Sequence, residues 1–167
     1  MPAPILIFAV GNESRGDDAI APLLLRRIAA WLDEKGMNEQ FELLEDFQLQ
    51  VEHAADMPGR ELVLFLDAGL DTPAPYSFYQ AQSKDNRTLF SHAITPEAVL
   101  STYLQIFPSP PPPTFVLCLR GEHFELGESP SQEAEQRMEL AVLFLQELML
   151  NAQVSFWKER SYALFNA

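Results

Sequence analysis

Only one cysteine, Cys118, stands among the 167 residues. A single thiol closes no internal disulfide, and such scarcity fits a reducing compartment. Cationic side chains are also few. Eleven Lys and Arg face 24 Asp and Glu, giving a formal net charge of −13 and a sequence pI near 4.5. The phosphates of nucleic acid and anionic membrane surfaces repel such a chain, so neither is an expected partner. The same charge also serves plain solubility. No apolar run reaches the roughly 18 residues of a membrane span. The N-terminus has no basic stretch leading into an apolar core and a small-residue cleavage site. A cytoplasmic protein is the expectation. The glycine fingerprint of dinucleotide-binding turns is absent, as is a Gly-x-Ser-x-Gly nucleophile elbow. No organic cofactor is expected.

What the chain does have is length and apolar content enough for one domain, residues 1–167, with 151–167 as a C-terminal tail. Ile5 to Val10 is a short continuous apolar run, the pattern of a strand covered on both faces. An amphipathic helix is predicted over 19–35, with Ile20, Leu23, Leu24, Ile28, Trp31 and Leu32 as its buried stripe and Gly36 as its stop. Strands are predicted over 41–45, 61–69 and 114–119. Tyr76 to Gln82 alternates and carries aromatics, which suits an edge strand. Val51 to Met57 reads as a short helix before Pro58-Gly59. Thr95-Pro96-Glu97 is a helix start ending near Phe107. Five prolines in residues 108–113 make a stiff connector. Ser131 opens a long helix to about Leu150, with Met138, Val142, Leu145 and Leu148 on one face. The alternation predicts a three-layer α/β/α domain with a mainly parallel twisted sheet and one edge strand.

Such folds place their sites at the carboxyl ends of strands. The stretch Gly11-Asn12-Glu13-Ser14-Arg15-Gly16-Asp17-Asp18-Ala19 follows the first strand and opens the first helix. Its adjacent carboxylates oppose a phosphate and favour a cation. Asp67 ends another strand, and His92 precedes a helix. Two carboxylates and one imidazole make a three-point set for a divalent first-row metal. Plainer readings stand beside this one. Asp17 or Asp18 suits a helix N-cap, Asp67 a strand-end turn, and His92 an ordinary loop. Cys118 lies within a strand as an inert core residue, His123 in a polar loop facing solvent, and His53 near the end of the second strand.

Three stretches together resemble the [NiFe]-hydrogenase maturation endopeptidases. These are Gly11-Asn12 with the acidic pair Asp17-Asp18 and Ala19-Ile20-Ala21, then Phe65-Leu66-Asp67-Ala68, then Ser91-His92 opening a helix. Order and spacing match from residue 4 to about 150. The resemblance implies an aspartyl-type endopeptidase that removes a C-terminal extension from a hydrogenase large-subunit precursor after nickel insertion. It implies that Asp18, Asp67 and His92 contact nickel supplied by the substrate, with Asp18 and Asp67 catalytic. A monomer is expected.

One departure concerns recognition. Many members carry Asp-Gly-Gly-Thr after the second strand, whereas this chain has Asp46-Phe47-Gln48-Leu49-Gln50 and then Glu52-His53. This resembles the branch serving soluble, NAD-coupled-type hydrogenases, and it implies substrate-binding roles for Gln48 and His53. Two other functions fit the same acidic edge: a non-cleaving module that checks nickel, and a small metal-dependent hydrolase.

Overall fold

A computed structural model of the chain describes residues 2–83 and 94–166, the last of these, from 162 on, as backbone only. The elements run β1 (Ile5–Val10), α1 (Ile20–Lys35), β2 (Phe41–Asp46), β3 (Leu62–Gly69), β4 (Tyr76–Gln80), α2 (Pro96–Ile106), β5 (Thr114–Arg120), α3 (Gln132–Leu150) and α4 (Val154–Asn166). One sheet of five strands has the order β2-β1-β3-β5-β4. The first four in that order are parallel, and β4 joins the edge antiparallel to β5. This is the three-layer α/β domain that the alternating pattern predicts.

Every residue of β1 is buried. Alternate side chains divide between two cores, because successive residues of a strand face opposite ways. Ile5, Ile7, Leu64, Leu66, Phe115 and Leu117 pack with α1, α3 and Trp157. Leu6, Phe8, Val63, Phe65 and Val116 pack with Val99, Leu100 and Tyr103 of α2 and with Ala54 of a 3-10 segment, Val51–Asp56. Of the predicted α1 stripe, Ile20, Leu24, Ile28 and Leu32 are fully buried, while Leu23 and Trp31 are half-buried at its margin. Gly36 ends α1 in a left-handed turn with φ of 66°.

The C-terminal segment folds back as α4. Trp157 is completely buried, and its indole N–H donates to the Leu148 carbonyl at 2.9 Å. Its ring meets Phe78 and Phe115 edge-on. The segment thus closes the core beside β4. Among the described residues, no helix is long and apolar enough to cross a membrane.

The strand order sets where a site can form. From β1 the chain moves one way to β2, and then returns past β1 to β3. The carboxyl ends of β1 and β3 therefore flank a topological switch point, where the loops part and leave a crevice.

Candidate active site

The turn after β1 is held by close backbone contacts. Gly11 N–H donates to the Asp46 carbonyl at 3.0 Å, tying the turn to the end of β2. A β carbon on Gly11 would fall on the Asp18 carbonyl oxygen, so only glycine lets the two backbones meet. The Asn12 side chain accepts from Ser14 N–H at 2.9 Å and closes a local turn. Asn12 N–H in turn donates to Oδ2 of Asp18 at 2.7 Å, which folds that carboxylate back over the turn. Gly16, with φ of 56°, takes the conformation that allows the sharp entry into a 3-10 turn, Gly16–Ala19.

The acidic pair splits into two roles. Asp17 is fully buried. Its Oδ1 accepts from Ser131 N–H at 2.7 Å. Its Oδ2 accepts from Glu122 N–H at 2.8 Å, His123 N–H at 3.1 Å and the Ser131 hydroxyl at 3.1 Å. Burial works against ionisation of Asp17, yet these four bonds outweigh it and hold the carboxyl below its ordinary range. The expected helix cap is therefore corrected. Neither Asp17 nor Asp18 caps α1, whose start has no side-chain cap. Asp17 instead fastens the 121–131 loop and the start of α3, where Ser131 caps Ala134 N–H at 3.2 Å. Those free N–H groups are brought to it by the fold and outcompete the helix end.

Asp67 closes β3. Its Oδ1 accepts from the adjacent Ala68 N–H at 2.8 Å. Burial pushes its carboxyl up to about 7, against the Ala68 bond and with help from the negative charge of Asp18. Asp18 is also raised, by burial first, with the Asn12 N–H and the Arg15 charge opposing. Both carboxylates line one cleft of about 400 Å3, with Asn12, Arg15, Phe47, Gln48, Leu70 and Phe124 around them. Oδ1 of Asp18 and Oδ2 of Asp67 carry no hydrogen bond among the described residues. Two acids lining one cleft, each with an oxygen that no described residue bonds, suit proton transfer or the grip of a cation.

Cys118 is the register partner of Asp67 on the neighbouring strand. It is half-buried rather than fully inside, and its Sγ lies 3.0 Å from the Thr72 hydroxyl. Burial pushes the thiol up to about 11, which keeps it protonated and unreactive. Gly69 allows this packing: a β carbon there would come within 2.8 Å of Oγ1 of Thr72.

The other sequence candidates separate. Gln48 lines the cleft, as an exposed side chain just past β2. His53 does not line it. Its ring packs on Phe8 with centroids 4.3 Å apart, its Nδ1 accepts from Gln50 N–H at 2.9 Å, and its Nε2 lies 3.2 Å from Oδ2 of Asp46. That histidine completes a capping box for the 51–56 segment. His123 is exposed. His92 lies outside the described residues. Among the described residues, no three His, Cys, Asp or Glu side chains group closely enough to hold a metal ion.

Three neighbours of the site escape sequence reasoning. Arg15 sits inside the first motif, but its role depends on what faces it. Phe124 is a lone aromatic in a polar loop, which is the one signal that marks it. Burial first, and then the charge of Glu97, a buried acid in the first turn of α2, raises the phenol of Tyr79.

No family model matches the sequence, and no curated protein is similar to it at a significant level. Solved structures do match. The [NiFe] hydrogenase maturation protease HycI from Thermococcus kodakarensis KOD1 superposes with a TM-score of 0.64 at 23% identity, over 88% of this chain and 92% of that one. The hydrogenase maturating endopeptidase HybD from E. coli gives a TM-score of 0.67 at 21% identity, over 91% and 94%. The HybD protease of Thermococcus kodakarensis gives 0.62 at 20% identity, over 89% and 99%. The chain thus has the fold of these maturation proteases along nearly its whole length.

Proposed function

We propose that this chain is an endopeptidase that removes the C-terminal extension of a [NiFe]-hydrogenase large-subunit precursor once nickel is in place. One observation carries the reading: Asp18 and Asp67, from two separate strand ends, share one cleft in a fold otherwise seen in hydrogenase maturation proteases. The three sequence stretches that resemble that family are the stretches that supply the cleft, save the one containing His92.

In this reading nickel belongs to the substrate. It sits in the precursor's own cysteine site, and Asp18, Asp67 and His92 contact it. That contact docks the scissile bond in the cleft. Asp18 then acts as general base for the attacking water, since its Oδ1 accepts no hydrogen bond from any described residue while Oδ2 is anchored by Asn12 N–H. Asp67 stands beside it as the more buried partner of the pair. Gln48 lies where the precursor must enter, and the Phe47-Gln48-Leu49 stretch supports a substrate of the soluble, NAD-coupled type. His53 braces the 51–56 segment, which follows Gln48 in the chain and supports the recognition stretch.

Incubating nickel-loaded precursor with the wild-type, Asp18→Ala and Asp67→Ala proteins tests the reading. An endopeptidase leaves the precursor uncut in both variants. A module that only checks nickel lets the precursor mature at the same pace with all three. Turnover of generic peptides or esters by the wild type points instead to a small hydrolase.

A further inference from the structure

Arg15 is the one described arginine without a carboxylate partner. Arg26 pairs with Glu13 and Glu45, Arg27 with Glu139, Arg60 with Glu42, Arg120 and Arg137 with Glu122, and Arg160 with Glu147. The charge of Arg15 acts on Asp18, but no described carboxylate lies within ion-pair distance of its guanidinium. This one lines the cleft that holds Asp18 and Asp67, and it is the only cationic side chain among the described lining residues. Its Nε donates to the Phe124 carbonyl at 3.3 Å, which tethers one edge of this exposed group. Its two terminal nitrogens carry no hydrogen bond among the described residues.

A cleft lined by two carboxylates opposes any further negative charge. Peptide hydrolysis creates such a charge on the carbonyl oxygen, so the site needs a donor aimed at it. The free edge of a guanidinium offers two parallel N–H donors and a permanent positive charge.

We propose that Arg15 is a catalytic residue that binds the scissile carbonyl oxygen and stabilises the oxyanion formed on it. The inference rests on the endopeptidase reading above. Asp18 takes a proton from water as the water oxygen bonds to the carbonyl carbon. The carbonyl π pair moves onto oxygen, where the Arg15 N–H groups hold it. When the C=O re-forms, the C–N bond breaks and the leaving nitrogen takes the proton from Asp18. One water is consumed, and a new carboxyl and a new amine result.

The test is steady-state cleavage of nickel-loaded precursor by the wild-type, Arg15→Ala and Arg15→Lys proteins, with thermal melts of each. Wild-type protein that leaves the precursor uncut overturns the endopeptidase reading, and this inference with it. With an active wild type, Arg15→Ala lowers kcat by about 100-fold or more with KM within about threefold, as for loss of an oxyanion donor. Arg15→Lys retains part of the rate. Millimolar guanidinium ion restores activity to Arg15→Ala, an effect that loss of the Phe124 tether alone does not produce. An unchanged kcat, a change confined to KM, or a loss without rescue overturns the assignment of Arg15 while leaving the endopeptidase reading intact.

Discussion

Asp17 and Ser131 lie 114 residues apart, yet Oδ1 of Asp17 accepts the Ser131 backbone N–H at 2.7 Å and Oδ2 accepts the Ser131 hydroxyl at 3.1 Å. The bond joins the turn after β1 to the start of α3, and it draws the 121–131 loop across the cleft edge. Phe124, on that loop, thereby reaches the lining that Asp18 supplies from the other side.

Asp17→Asn keeps the size of the side chain but loses the charge and part of the acceptor capacity. The substitution should cost about 3 kcal/mol at pH 7, since several charge-assisted hydrogen bonds are weakened in a buried site. Because the Asp17 carboxyl is held below its ordinary 3.8, its contribution is present above that value. It fades as pH falls through the lower folded value. Urea unfolding of wild type and Asp17→Asn at pH 7 and at about pH 3 measures the effect, which should shrink in acid.

Gly11→Ala tests the geometry of the turn. The new methyl must displace the Asp18 carbonyl, so the variant should lose about 2 kcal/mol of stability and the placement of Asp18 as well. Gly36→Ala is the comparison. It has φ of 66° but no atom within 4 Å of the added carbon, so it costs about 1 kcal/mol of local strain. Both are read by thermal melts and precursor cleavage. Activity should fall only in Gly11→Ala.

Asp67→Asn should stabilise the fold in neutral and alkaline solution. Burial pushes the Asp67 carboxyl up to about 7 in the folded chain, against an ordinary 3.8. The unfolded state therefore releases the proton first, and wild-type stability declines as pH rises from about 3.8 to 7. The asparagine variant avoids that decline. It should exceed wild type by up to about 4 kcal/mol at pH 8 and match it near pH 3. Equal pH profiles for the two proteins would remove the burial of Asp67 from the account.

Much of this architecture is legible in local pattern. The unbroken apolar run of β1 marks an interior parallel strand, the aromatic alternation of Tyr76 to Gln82 marks the edge strand, which ends at Gln80, and Thr95-Pro96 marks the start of α2. Asp18 and Asp67 are visible because one follows a strand and the other lies near a strand's carboxyl end, and a parallel sheet aligns those ends. Asp17 is different. Its neighbours in sequence suggest a helix cap, whereas its partners are the N–H groups of Glu122, His123 and Ser131, more than 100 residues on. A propensity for capping is worth little against four hydrogen bonds delivered by the fold. Arg15 and Phe124 are hidden for the same reason, since the one bond between them crosses 109 residues. His53 shows the reverse case: a polar side chain with a ligand's chemistry is used by its own segment as a cap.

The most direct measurement of the central claim is cleavage of a hydrogenase large-subunit precursor by the wild-type protein, followed by mass spectrometry of the product, with and without nickel. The account predicts loss of a discrete C-terminal peptide from the nickel-loaded precursor, and an intact chain after the nickel is chelated or withheld. Undiminished cleavage of the nickel-free precursor would contradict it.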